Sequence, residues 1–325
     1  MQTPGLFAAP NPLRARLVRK LSRLAADQIY IGTSSWKYEG WLGSIYTPER
    51  YLTRGKVSQK KFEEQCIAEY GEVFPIVCGD FAFYQFPRPE FWAKLFTTAP
   101  PQLNWAFKVP EEITVKLWPG HARYGARAAL ENENFLNAQL FQRLFLDALA
   151  PYQDRVKVLI FEFGTLSKKV MPGVDAFVEQ LNAFFSELPP TWRYSVEVRN
   201  AEFLEADYFA CLRAYNIAHV FNAWTRMPEL SYQLALEDAY TADFLVSRAL
   251  LKYGRTYEQA VKSFEPYERV QEENPGAREA LRKILARAQR IKQPAFVFVN
   301  NRLEGNAPGT IDAVTEEKVC FDDPV

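Results

Sequence analysis

Short apolar runs alternate along this chain with charged stretches of helical length, and each run ends in a polar or charged residue. The runs are Ile29–Thr33, Val73–Asp80, Leu103–Lys108, Lys157–Glu162, Tyr194–Arg199, Ala218–Asn222, Asp243–Arg248 and Ala295–Asn301. Strands that alternate with helices pair in parallel through crossover connections. Eight such units predict a single-domain α/β fold, a closed (β/α)8 TIM-type barrel, whose active site lies at the carboxyl ends of the strands. From the first run to the last is about 270 residues, near the roughly 250 typical of such a barrel.

Between the runs, apolar periodicity predicts helices over Val57–Tyr70, Glu90–Phe96, Glu131–Leu149, Val174–Leu188, Phe203–Tyr215, Tyr253–Arg290 and Ala307–Val314. Two long loops stand out. Ser34–Arg54 carries Trp36, Tyr38, Trp41, Tyr46 and Tyr51, and Glu111–Ala129 follows the third strand. The expected organisation is a basic amphipathic helical extension over 1–28, the barrel over 29–316 and a frayed tail over 317–325. The extension should pack on or beside the barrel bottom. An open doubly wound sheet is the competing architecture. It is disfavoured because Gly32-Thr33-Ser34-Ser35-Trp36 lacks the glycine spacing of a nucleotide loop.

Charge narrows the function. With 39 basic and 39 acidic residues the net charge is zero, so no overall field draws the chain to nucleic acid or an anionic membrane. No apolar stretch reaches the roughly 18–20 residues of a membrane span. Cys66, Cys78, Cys211 and Cys320 form no Cys-x-x-Cys pair, and His121 and His219 are the only histidines. Reduced thiols and a cytoplasmic location are expected. No metal site and no cofactor are predicted, although carboxylates alone can hold an ion. Nothing in the sequence specifies an oligomeric state.

The chemistry-bearing residues sit where the strands end. In Tyr194–Arg199 the period-two geometry puts Ser195, Glu197 and Arg199 on one face. Charges inside a barrel are costly unless paired or wet. Glu197 is therefore either a brace for Arg199 or an acid/base group beside an anion anchor. Lys108, Glu162, Asp80 and Arg248 end other strands. Glu162 with Glu197 could form a catalytic carboxylate pair, and Arg199 with Arg248 an anion clamp. Asn300 and Asn301 suit hydroxyl recognition or a turn. Trp36, Tyr38, Trp41, Phe83, Tyr84 and Trp105 could wall a pocket or simply pack. Cys78 lacks a partner histidine, His121 lies in the insertion, and His219 inside a strand reads as a core residue.

Five ordered motifs resemble the YecE-like family, domain of unknown function 72. They are Gly32-Thr-Ser-Ser-Trp36 with Tyr38, Trp41, Gly43 and Tyr46-Thr-Pro48; Phe83-Tyr84 with Pro87; Phe107-Lys108-Val-Pro110 with Ile113-Thr114; Val196-Glu197-Val-Arg199-Asn200; and Val299-Asn300-Asn301 with Gly305, Ala307 and Pro308. The resemblance covers about Ile29 to Val314. It implies a TIM-type barrel and no particular reaction. It also implies Trp36, Tyr38, Tyr84, Lys108, Glu197, Arg199, Asn300 and Asn301 as mouth residues. Departures are Cys78, where the family usually has an acidic residue, Glu162-Phe-Gly-Thr165 in place of Gln-Leu-Pro-Pro, and Arg248-Ala-Leu-Leu251 in place of Arg-Leu-His-Gly.

The expected function is general acid/base catalysis, as a hydrolase, isomerase or lyase, on a small polar, anionic substrate such as a sugar acid or sugar phosphate. Catalysis falls to Glu197, Glu162 and Lys108. Arg199, Arg248, Asn300, Asn301, Trp36, Tyr38, Tyr84 and Asp80 bind the substrate. The competing readings are a nucleic-acid-processing or nucleic-acid-binding barrel, against which the zero net charge argues, and a non-catalytic ligand-binding protein with a degenerate site.

Overall fold

A computed structural model of the protein describes residues 11–316. The tail expected over 317–325 and the first ten residues of the extension lie outside the described residues. Eight parallel strands close into a barrel: β1 (Ile29–Thr33), β2 (Ile76–Gly79), β3 (Asn104–Lys108), β4 (Val156–Phe163), β5 (Tyr194–Val198), β6 (Ala218–Ala223), β7 (Leu245–Ala249) and β8 (Ala295–Val299). Each neighbours its successor, and β8 returns to β1 through Ile29↔Ala295 to Thr33↔Val299. All eight expected strands are present, and the fold is the TIM-type barrel that the alternation implies.

Period two divides every strand between two cores. Trp105, Phe107, Phe161, Val196 and Val198 join the layer packed under the helices. Ile76, Cys78, Ala106, Ile160, Val220, Val246 and Phe298 fill the barrel itself. One inward step further along the chain the apolar filling stops. The next inward positions are Asp80, Lys108, Glu162, Glu197, Asn222, Arg248 and Asn300. An apolar plug thus carries a polar top layer. Gly32 is the inward position on β1 where backbones come closest: a Cβ there would stand 1.9 Å from the Ile76 carbonyl oxygen.

Helices α1 (Pro12–Ala26), α2 (Gln59–Val73), α3 (Pro89–Thr98), α4 (Val174–Ser186), α5 (Ala206–Ala214), α6 (Tyr257–Phe264), α7 (Pro275–Ile291) and α8 (Ala307–Val314) surround the strands. Helix α1 buries Leu17 and Leu21 and packs against β1, α2 and α8. Three of its basic residues are paired: Arg16 and Lys20 both reach Asp312, at 2.7 Å each, and Arg14 reaches the buried Glu69 at 3.0 Å.

Two helix expectations need correction. The expected helix Glu131–Leu149 begins only at Ala138, because Asn132 turns back to donate to the Glu112 and Val115 carbonyls and Asn137 caps the helix start. The stretch Tyr253–Arg290 is two helices. Thr256 and Gln259 form a capping box for α6, and Asn274 caps α7 ahead of Pro275. The loop after β1 is also more ordered than expected. It holds two short 3-10 turns and a hairpin, Leu52–Thr53 with Lys56–Val57, turned at Arg54-Gly55 with both φ positive.

Candidate functional site

The polar top layer is a lattice of six ions. Arg248, at the end of β7, is 1% exposed and central. Its NH1 donates to Glu162 Oε2 at 2.6 Å and Glu197 Oε2 at 2.5 Å, and its NH2 donates to Asp80 Oδ1 at 3.1 Å. Arg199 NH2 lies 3.2 Å from Glu162 Oε2 and 2.5 Å from Glu197 Oε1. Lys108 Nζ lies 3.0 Å from Glu162 Oε1. Three cations thus face three carboxylates, and the lattice as a whole is neutral.

Burial grades the lattice. The Glu197 side chain is fully sealed, Arg199 is 5% exposed, Lys108 9%, Glu162 17% and Asp80 36%. Lys108, Glu162 and Asp80 therefore form its upper edge, while Glu197 and Arg248 form its floor. Aromatic rings cover two of the cations. Lys108 Nζ stands 3.6 Å from the centre of the Phe83 ring, and the Arg199 guanidinium 3.9 Å from Trp224. Burial pushes the Glu162 carboxyl upward, but Lys108, Arg199 and Arg248 outweigh it and hold the group well below the usual carboxylate range. Burial likewise opposes the charge of Arg248, and Glu197, Asp80 and Glu162 reverse it, so the guanidinium stays charged.

The glutamates cannot flank open space as a catalytic pair would. Both bond one nitrogen of Arg248, which puts their Oε2 atoms within about 5 Å of each other with that nitrogen between them. Cys78 lies just below, 3.5 Å from Asp80 Oδ1. Burial and the Asp80 charge push its thiol up, so it is held in the neutral form.

The remaining candidates are placed differently. Tyr84 is 60% exposed with the Arg123 guanidinium stacked on it at 4.9 Å. Tyr38 is half-buried against Trp41 and Tyr267. Trp36 and Trp105 pack edge to face at 5.6 Å in the layer under the helices, and Trp41 is sealed. Asn300 continues the inward series, but its Oδ1 accepts from the Arg302 amide within the loop. Asn301 accepts from the Ala307 amide at the start of α8, whose N-cap is Asn306, and the Asn301 Nδ2 is buried without a partner. His121 accepts from the Arg123 amide in its own turn. His219 is buried beside Tyr208 at 3.2 Å, and burial lowers its pKa to about 3.

The sequence offers Asn222 only as a weaker candidate than Asn300 and Asn301, and Trp224 and Arg302 were passed over. Trp224 and Arg302 each stand within three residues of a strand end, which was the available signal. Among the described residues no group of three histidines, cysteines or carboxylates is placed to hold a metal ion. The three carboxylates of the lattice are already bound by cations.

Residues 30–319 match the family described as protein of unknown function DUF72. The chain belongs to the DUF72 family. It is the family that the five motifs resemble. Two solved DUF72 structures share the fold. One, from Thermotoga maritima, is 19% identical with a TM-score of 0.57, over 88% of this chain and 96% of that one. The other, from Enterococcus faecalis, is 16% identical with a TM-score of 0.53, over 88% and 93%. No curated protein matches the chain. None of the described helices of this DUF72 protein is long and apolar enough to cross a membrane.

Proposed function

We propose that this DUF72 protein is an enzyme that acts by general acid/base chemistry on a small, polar, anionic molecule at the carboxyl ends of the barrel strands. One observation carries the reading. Lys108 and Glu162, a proton donor and a proton acceptor 3.0 Å apart, lie at the edge of a lattice whose deeper members are sealed. Glu162 Oε1 is the proton acceptor, and the Lys108 ammonium donates to the oxygen on which negative charge develops. Because three cations hold Glu162 ionised, it gains basicity when a substrate displaces it from one of them. Glu197 and Arg248 are positioning residues that fix Glu162 from below. Arg199 and the loop asparagines orient the substrate. The buried free thiols of Cys66, Cys78 and Cys211 fit a reducing, cytoplasmic setting.

A metabolite screen for turnover, followed by Glu162→Gln, tests this. The expected result is a fall in kcat of about a hundredfold or more with the fold retained. Undiminished turnover in Glu162→Gln would show the reading to be wrong. A second reading, a non-catalytic binding protein, is favoured by the strong stabilisation of the Glu162 anion. Saturable metabolite binding without conversion would establish it instead.

A further inference from the structure

The neutral lattice leaves a question of chemistry. An anionic ligand gains little from cations already matched by carboxylates, and it would have to displace one of those carboxylates to pair with them. A further positive charge, Arg302, stands three residues past the end of β8. The nearest acid in sequence to Arg302, Glu304, is fully buried and bound by Arg278 and Thr310. Asp80 is bound by Arg248. Among the described residues no carboxylate pairs with Arg302, and its Nε is buried without a hydrogen-bond partner.

Its surroundings are aromatic and hydroxylated. The guanidinium stacks at 4.5 Å on Tyr257, which is 48% exposed. Tyr38 and Tyr267 meet edge to face at 5.5 Å, and the Arg302 charge acts on both hydroxyls against the effect of burial. Tyr38 also feels the charge of Asp80. The chain itself connects Arg302 to the polar layer, since Asn300, the β8 member of that layer, lies two residues earlier. The backbone is fixed as well, since the Arg302 amide donates to Asn300 Oδ1 at 3.0 Å. A planar guanidinium held by a stacked ring, with its loop pinned, is a prepared partner for an oxyanion.

We propose that Arg302 is the oxyanion anchor of the barrel mouth: it takes the carboxylate or phosphate group of the small-molecule ligand, so that the uncharged hydroxyl-bearing part meets Lys108 and Glu162. This rests on the reading of the mouth as a substrate site, and it moves the anion-binding role away from Arg199 and Arg248.

Inorganic phosphate is the probe, followed by phosphorus NMR titration of the full chain. Wild type is expected to bind it saturably, Arg302→Gln at least about tenfold more weakly, and Arg302→Lys with an affinity between the two, because lysine keeps the charge and loses the stacked planar fork. Arg16→Gln, on α1 and outside the mouth, should change binding by no more than about twofold. Circular dichroism confirms that each variant is folded. Absence of phosphate binding in wild type overturns the proposal. So does equal binding in Arg302→Gln, or a loss in Arg16→Gln as large as that in Arg302→Gln. Arg302-dependent phosphate binding without any turnover keeps the anchor and removes the enzyme. Turnover lost in Glu162→Gln alongside phosphate binding indifferent to Arg302 does the reverse.

Discussion

Glu162 and Glu197 stand opposite each other in register on adjacent parallel strands, and a single nitrogen of Arg248 holds an oxygen of each, at 2.6 and 2.5 Å. Two like charges this close are tolerated because the bridging cation is itself sealed from water. The pair is not equivalent. Glu197 has no exposure and Glu162 keeps 17%.

That inequality predicts different stabilities for the two glutamine variants. Glu197→Gln leaves buried guanidinium charge unmatched and should cost about 3–5 kcal/mol in chemical denaturation. Glu162→Gln, at the wetter edge, should cost less than Glu197→Gln. Equal losses would mean that the burial gradient does not matter.

Histidine gives a pH signature in a separate window. The folded His219 titrates at about 3 because burial disfavours its charge, against an ordinary value of 6.5. Below pH 6.5 the unfolded chain takes up a proton that the folded chain refuses, so stability falls from there down to about pH 3. At roughly 1.4 kcal/mol per pH unit the whole effect is of order 5 kcal/mol. Glu162, with a depressed folded pKa, adds its own loss only as the pH drops below the ordinary glutamate value of about 4.3. His219→Gln should flatten the dependence of Tm on pH between about 6.5 and 4.5. An unchanged slope would place the titrating group elsewhere.

Closure of the barrel depends on Gly32. A methyl group there meets the backbone of β2 at 1.9 Å, and backbone cannot swing away as a side chain can. Gly32→Ala should destabilise by about 3 kcal/mol or more or prevent folding. Gly43 makes the control for packing, since a Cβ there meets nothing within 4 Å. Its positive φ makes Gly43→Asn the appropriate variant, with a loss below about 1 kcal/mol.

Helix α1 is held by apolar burial more than by its charges. Leu21→Ala, at a fully buried position, should cost about 2–5 kcal/mol. Arg16→Ala removes a pair in which the arginine is 45% exposed, and should cost under about 1 kcal/mol. Thermal denaturation of the two variants would reverse this ranking if the ion pairs were the main attachment.

The eight strands and the charged residue ending many of them were legible in the sequence, because period two and the strand–helix alternation are local properties of the chain. So was α8, whose bounds Ala307–Val314 match the periodicity, and the buried character of His219. The start of the helix at Ala138 was hidden because Asn132 and Asn137 act through side-chain bonds to carbonyls and amides that periodicity does not register. The roles within the site needed the closed barrel. Sequence places Glu162, Glu197 and Arg248 at strand ends, but only closure brings Arg248, 86 residues from Glu162, between the two glutamates. Charge is counted along a chain, whereas pairing depends on distance. For that reason Arg199 and Arg248 could be read as an anion clamp until the fold matched both, and Lys108 with them, to carboxylates and left Arg302 without one.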